Sequence, residues 1–499
     1  MVEALKLFCQ ASGHQINFEK SDLLFSTHAT RDFKQNSRTI FDIKRQQPIS
    51  NYLGSPTCLS RVTSKSFNPL LLRLQNRLRL WKASTLSQAG RLTLINAVCS
   101  AIPNHQMGVF KLPEVITHPI DVHRRAFFWG HEVNTRKVHS VNWEVIEKPK
   151  LYGGLRVRNL QHTNLALLAK KGWEVIASNR SLWIDIVKAK YLRNQDFLTM
   201  CPKPLNSRVW RDILKARTVL TKGLGWEIGN GSDINLFTER WIPSKEGITA
   251  PIYSNPTVKP IFVSDLIDSN TRKWRSNTIY HCWPEDIAKQ IISIPLSHTE
   301  KPDRRVWTRT INGKYTVKSG YQAIIVNQNP ALFDWRIIWK LRCPPRVKVF
   351  MWKLALDALN SSSNLFNIGL NFNPDCVFCK SYPDTSQHLF KECPFTQTIW
   401  RLSPIPQIVN APFNDTPQRW ISKTQQLLRN QHRDIPFAME LSVIICWNIW
   451  KSRNEMIFEQ KRVTPQGTIK ASLVFWRSTK DAQSLLLKPK SPKQLHHLC

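Results

Sequence analysis

Acid is what this 499-residue sequence has least of relative to its opposite: 35 Asp and Glu stand against 71 Lys and Arg, a formal net charge of +36. So large an excess repels itself, and a polyanion relieves that repulsion, which makes nucleic acid the first candidate partner. The few acids are also scattered. No Asp-Asp pair occurs anywhere in the chain, and Glu285-Asp286 lies in a polar stretch without a strand–turn–strand pattern. Two-metal phosphoryl transfer needs carboxylates around ions about 3.5–4 Å apart, so that chemistry has no visible home here. Phosphate-cradling G-x-x-x-x-G-K-[ST] loops, H-E-x-x-H helices and nucleophile elbows are missing too.

Long apolar runs are lacking as well. The opening MVEALKLFCQASGHQ has no core for a signal peptide. Phe437 to Trp450 falls short of the ~20 residues that span a bilayer and contains Glu440 and Asn448. The expectation is an intracellular chain with no membrane route. Eleven cysteines, an odd number spread along the sequence, do not suggest a disulfide framework. A reducing compartment fits, and there a local Cys/His cluster reads as a metal site. No fixed-period repeat is present.

What is there is globular: 42% hydrophobic and 21% charged residues, in a length that suits roughly two to four domains. Val2 to Cys9 reads as a helix, Ile16, Phe18 and Leu23-Leu24-Phe25 as a strand, and 31–50 as polar turns. Asn51-Tyr52-Leu53-Gly54 reads as a strand closing into a turn. Leu70, Leu71, Leu74, Leu78 and Trp81 build one helical face. Ser87 caps a second helix, which Pro103 stops. Further helices are expected over 120–129 and 164–176, separated by a tight Gly153-Gly154 turn. Two hairpins are expected, one through Gly229-Asn230-Gly231 to Ile234-Asn235-Leu236, the other over 306–317 turning at Asn312-Gly313. Helical pattern resumes over 335–359 with a break at Pro344-Pro345, and returns over 438–458. A basic tail, 461–499, reads as partly disordered. The fold class expected is α+β, predominantly helical and multidomain.

The sharpest chemical signal is Cys376, Cys379, His388 and Cys393, spaced C-x2-C-x8-H-x4-C. Structural zinc takes four ligands in a tetrahedron, and thiolate with imidazole suits it. With no position left open, one structural Zn²⁺ is expected. Just upstream, residues 301–353 hold twelve Lys or Arg against Asp303 and Asp334. Arg304, Arg305, Lys314, Lys318, Arg346 and Lys348 are candidates for phosphate contact. Trp335, Trp339 and Trp352 are interleaved there, and their helical spacing fits a core better than base stacking. The helix over 438–458, with Leu441, Ile444, Ile445, Trp447, Ile449 and Trp450, is a second candidate surface, for a protein partner.

Several ordered stretches together resemble plant non-LTR (LINE-type) retrotransposon reverse transcriptases. Phe8-Cys9, Ser12-Gly13, Ile16-Asn17 and Lys20-Ser21 are similar to the palm segment that follows the catalytic Asp-Asp hairpin. Tyr52-Leu53-Gly54 resembles the primer grip. Leu80-Trp81, Leu86-Ser87, Ala89-Gly90-Arg91, Leu94-Ile95 and Ile102-Pro103 resemble the thumb. Phe127-Phe128-Trp129-Gly130, Pro149-Lys150, Gly153-Gly154-Leu155 and Asn159-Leu160 continue in the family's order. Gly313, Tyr315-Thr316-Val317, Ser319-Gly320-Tyr321, Pro345, Lys348, Phe350 and Trp352 then lead into the Cys/His set, which resembles the family's zinc-binding domain.

The resemblance implies a division into a palm and primer-grip remnant (1–60), a helical thumb (66–200), a mixed connector (205–300), a zinc module (301–405), a C-terminal helical region (406–460) and the tail. It implies RNA or DNA as partner, either a template–primer duplex or element RNA, with Arg73, Arg77, Lys82 and Arg91 on the thumb side. Tyr52, Leu53 and Gly54 would position a primer end, and Lys20 matches a palm lysine that helps pyrophosphate leave. It further implies a nuclear location and a sequence that starts after the Asp-Asp hairpin and stops before ribonuclease H. No catalytic residue is then expected, and polymerisation would need a second chain supplying the missing half. The alternatives are a domesticated zinc protein working through protein contacts and a non-functional retroelement relic.

Overall fold

The computed structural model describes residues 2–41 apart from 18–20, 22, 24 and 27; residues 51, 52, 55 and 56; 63–242 apart from 82, 136, 178–180 and 194; 260–325 apart from 298 and 299; 332–411; 416–431; and 435–487. Its architecture is predominantly helical. The longer or site-bearing helices are α1 (Val2–Ser12), α2 (Arg31–Phe41), α3 (Asn68–Leu80), α4 (Gln88–Leu94), α5 (Glu114–Trp129), α6 (Leu160–Ile176), α7 (Val317–Ile325), α8 (Pro345–Ala355), α9 (Pro394–Leu402), α10 (Pro417–Gln431), α11 (Ile435–Phe458) and α12 (Pro465–Leu487). Among the described residues, strands form only two antiparallel pairs: β1 (Asn51–Tyr52) with β2 (Ser55–Pro56), and β3 (Leu224–Glu227) with β4 (Arg304–Trp307). The chain divides into two compact units. The first takes 1–74, 102–119 and 160–327, and the second takes 75–101, 120–159 and 328–499.

In the first unit, α6 is the central support. Its Asn164 is buried and fully used: Oδ1 accepts from the Leu112 N–H at 2.7 Å, while Nδ2 donates to the carbonyls of Met107 at 2.7 Å and Phe110 at 2.8 Å. A buried amide so paired fixes the segment before α5 against α6. On the next stretch of α6, Trp173 meets Trp307 and Tyr315 in a core with Trp210, Val219 and Leu220. A separate small core gathers Ile234, Leu236, Trp241, Val263, Leu266 and Trp283.

Both expected hairpins are corrected here. β3 does not turn back onto Ile234–Leu236; it pairs with β4, with Leu224 opposite Trp307 and Glu227 opposite Arg304. The reason is Asp303, whose carboxylate accepts the N–H groups of Gly229 at 2.6 Å, Gly231 at 3.0 Å and Asp233 at 3.0 Å. Those bonds turn the loop around a side chain that comes at least seventy residues later in the sequence. Asn235 bridges to Phe262 instead. The second hairpin has only its first strand, β4. After the turn at Gly313 (φ +66°), Thr316 caps α7 through Oγ1, which accepts from Ser319 N at 3.1 Å. Ser319 and Gly320 thus lie inside that helix.

The second unit has one core, built from α4, the end of α5, α8, α9, α10, α11 and α12. In it Trp352 and Trp400 are fully buried. Trp352 Nε1 donates to the Gly153 carbonyl at 2.7 Å and Trp339 Nε1 to the Lys150 carbonyl at 3.2 Å. The core reading of these tryptophans over base stacking therefore agrees with their placement. Leu441, Ile444, Ile445 and Ile449 are also completely buried, so the apolar face of α11 is not a free partner surface.

Other expectations shift in extent. Ser87 caps α4 as read, accepting from Gly90 N at 3.2 Å. α5 begins at Glu114 and runs through Pro119, and α6 begins at Leu160. Residues 31–41, read as turns, form α2, and 465–487, read as tail, form α12, which packs on α11. The described residues of 13–30 form no strand. Lys20, and the lysines of the tail end over 488–493, lie outside the described residues.

Candidate functional site

The second unit brings together all four residues singled out by spacing. One ligand atom from each of Cys376, Cys379, His388 and Cys393 lies within 4.8 Å of the others. Cys376 Sγ and Cys393 Sγ are 3.9 Å apart, and Cys379 Sγ and His388 Nε2 are 3.2 Å apart. A zinc tetrahedron with Zn–S of about 2.3 Å and Zn–N of about 2.0–2.1 Å has edges of roughly 3.5–3.8 Å, so the donor set fits the ion. Cys376, His388 and Cys393 are buried, and Cys379 is half-buried.

Local sequence explains the convergence. Asp375 bridges to Pro383, Cys376 N donates to the Tyr382 carbonyl at 2.7 Å, and Lys380 N donates to the Cys376 carbonyl at 2.8 Å. Lys380 takes φ +56°, the left-handed twist that closes this knuckle and presents both thiols from one turn. His388 follows on a helical turn, 388–392, positioned by its N–H donating to Thr385 Oγ1 at 3.1 Å. Cys393 N donates to the His388 carbonyl at 2.8 Å, which ties third ligand to fourth. Pro394 at the first position of α9 makes Cys393 its N-cap. A hydrogen bond from Cys376 lowers the Cys393 thiol pKa, with backbone N–H groups of Thr396 and Phe395 helping. The same bond, with burial, pushes the Cys376 thiol up. Burial lowers His388, which favours the neutral imidazole a metal needs.

A second layer behind the knuckle was not legible in the sequence. Asp384 is fully buried, and Arg453 from α11 reaches it with Nη2 at 2.6 Å and Nε at 3.1 Å. Ser362 N donates to the same carboxylate oxygen at 2.8 Å, and Arg453 Nη2 also meets Ser362 Oγ at 2.7 Å. Asp384 N in turn donates to the Pro374 carbonyl at 2.7 Å, two residues before Cys376. This ion pair therefore anchors the ligand loop to α11. In sequence, Asp384 looks like a turn residue and Arg453 like a surface cation; no spacing connects them.

The expected phosphate-contacting cations fall into groups. Arg73 and Arg77 are exposed four residues apart on α3, and Lys314 and Lys318 are exposed at the start of the α7 region. Arg304 pairs with Glu227 through Nη2 at 2.5 Å, and Arg305 grips Glu239 with two bonds of 2.8 Å, so both already have an anion. Lys348 is half-buried and donates to the Trp339 carbonyl at 3.1 Å. Arg346 is exposed above the Phe475 ring. Arg91 is half-buried against Gly130, whose φ of +76° and missing Cβ leave the guanidinium its room. Tyr52 lies on β1, opposite Ser55. Leu53, Gly54 and Lys82 lie outside the described residues. Among the described residues, no helix is long and apolar enough to cross a membrane.

Residues 315–400 match the family described as zinc-binding in reverse transcriptase. Over 412 residues the chain is 31% identical to a putative ribonuclease H protein of Arabidopsis thaliana, a match covering 81% of this chain and 66% of that protein. The chain thus spans just under two thirds of that relative's length. Over 143 residues it is 29% identical to an uncharacterized mitochondrial protein of Arabidopsis thaliana, covering 28% of this chain and 93% of that one.

Proposed function

We propose, from the chain's membership of the reverse-transcriptase-related proteins that carry this zinc-binding domain, that it is a nucleic-acid-binding protein ordered by one structural Zn²⁺. Cys376, Cys379, His388 and Cys393 are its ligands, and the metal supplies a cross-link between knuckle and α9 rather than a reactive centre. The observation that carries the binding reading is charge without counter-charge. The chain holds +36, and Arg73, Arg77, Lys314, Lys318 and Arg346 stand exposed with no carboxylate paired to them among the described residues. Arg304 and Arg305 contribute less, because Glu227 and Glu239 already neutralise them.

The affiliation within the family is non-LTR (LINE-type), on the ordered motifs from Phe8 to Trp352. With it come a thumb-like role for 66–200, a zinc module over 301–405, and residence in the nucleus. These 499 residues do not polymerise by themselves, for want of paired carboxylates; a partner chain would have to supply them.

The test is fluorescence anisotropy with single-stranded and duplex RNA and DNA between about 50 and 200 mM salt. Five phosphate contacts predict a slope of log affinity against log salt of about −3.5 on single strands and about −4.5 on duplex. Absent affinity, or affinity indifferent to salt, contradicts the reading. Mg²⁺-dependent primer extension by the purified chain contradicts its non-catalytic part.

A further inference from the structure

The second unit contains an aromatic-floored cavity of about 600 Å³, lined by Phe350, Trp447, Trp450 and Phe458 and, on its charged side, by Arg346 and Lys353. Three kinds of observation bear on its occupant. The first is charge. Arg453 also lines the cavity, but Asp384 neutralises it at 2.6 Å. Arg346 lies over the Phe475 ring at 5.1 Å and Lys353 over the Trp129 ring at 4.9 Å, but among the described residues neither has a carboxylate partner and no carboxylate lines the cavity. Arg91 stands close enough to Lys353 to depress its charge, and the Arg91 Nε is buried without a hydrogen-bond partner. A half-buried cation beside another cation and without an acid is costly, and an anion in the cavity beside Lys353 lowers the cost. Burial, and after it Arg91, bring the Lys353 ammonium down to about 8.

The second observation is the floor. Phe350, Trp447, Trp450 and Phe458 form the aromatic side of the cavity, and the volume suits one planar ring system with its sugar. The third is the rim: Gln88, Asn360 and Asn454 place amide groups at the cavity wall, able to donate to and accept from a base edge. An apolar ligand would leave the cations unpaired, and a free inorganic anion would leave the aromatic floor uncovered.

We propose that this cavity takes a single unpaired nucleotide of a bound strand, its base on the Trp447–Trp450–Phe350 floor and its phosphate against Lys353 and Arg346. The proposal rests on the nucleic-acid reading above and adds a place and a strandedness to it. A base inside a duplex cannot enter, so single strands are preferred, and base–aromatic stacking makes the pocket tolerant of sequence.

The experiment measures affinity of the full chain for the four ribonucleoside 5′-monophosphates, for inorganic phosphate, and for a ten-nucleotide single strand and its duplex. Two variants accompany the parent: Lys353→Gln, which removes the unpaired charge, and Asn360→Trp, which fills the mouth from an exposed position without altering any charge. Thermal melting and a Lys353→Arg variant report whether the fold is kept. The expectation is binding of monophosphates but not of phosphate alone, and a preference for the single strand. Both disruptive variants should lose about tenfold or more in single-strand affinity, with Lys353→Arg close to the parent. Salt-dependent binding that is equal for single strand and duplex and unmoved by Asn360→Trp would overturn the pocket and leave the general reading standing. Binding of neither mononucleotide nor strand would overturn both.

Discussion

Asp384 and Arg453 show how much can depend on two side chains. Both are almost wholly buried, and their contact at 2.6 Å ties the loop bearing Cys376 and Cys379 to α11. A buried pair adds little over apolar packing, but breaking it strands a charge at about 3–5 kcal/mol. Arg453→Met should therefore lower stability by that order in a denaturant titration, and Asp384→Asn added to it should recover part of the loss. Equal melting of Arg453→Met and parent would refute the anchoring role. Glu147 is a second residue-scale case. Burial, more than its neighbour Asp121, pushes its carboxyl up to about 7, against the hydrogen bond from Asn159 and the charge of Arg124. The folded form thus holds its proton more tightly than the unfolded form, whose value lies near 4.5. Stability is then highest below about pH 4.5 as far as this group is concerned, and is lost as pH rises through about 7. Glu147→Gln should melt like the parent at pH 5 and clearly above it at pH 8.5, whereas a constant difference at both values would contradict the assignment.

Elements fared unevenly between sequence and structure, for identifiable reasons. The helices α3, α4, α6 and α11 carry apolar faces or caps that local pattern reveals, and they appear with small changes of length. The hairpins failed because Asp303 and the β3–β4 pairing act over more than seventy residues, and no local pattern announces them. α2 was missed because Phe33, Ile40 and Phe41 are its only apolar residues, and α12 because it lies inside the stretch read as a basic tail. The metal centre was legible in full, since a knuckle encodes its ligands in spacing, but its Asp384–Arg453 support was not. The Gly153-Gly154 turn was read correctly and its necessity can be tested. Gly153 sits at φ +84° over the Trp335 ring and accepts from Trp352, and a Cβ on Gly154 would lie 1.9 Å from the Lys148 carbonyl oxygen. Gly154→Ala should cost about 1–3 kcal/mol or more, read as a lowered denaturant midpoint; an unchanged midpoint would mean the turn relaxes freely.

At the scale of the molecule, two properties are joined: an excess of cations that favours a polyanion, and a Cys₃His centre that orders part of the second unit. They are separable by experiment. Raising salt acts on the first and leaves the second in place, because screening weakens exposed phosphate contacts far more than metal–thiolate bonds. Chelation acts on the second, and should loosen the segment around 374–402 while the first unit keeps its own cores of Trp173, Trp210 and Trp307 and of Trp241, Val263 and Trp283. Hydrogen exchange after chelation should accordingly rise in α9 and the knuckle before it rises in α6.

The most direct test of the account is zinc content of the purified full-length chain by elemental analysis, with Cys379→Ser beside it. One zinc per chain, lost in the variant together with a lower melting temperature, is the predicted result. A well-folded parent chain without zinc, or a variant that keeps both its metal and its stability, would contradict the structural metal centre on which the rest is built.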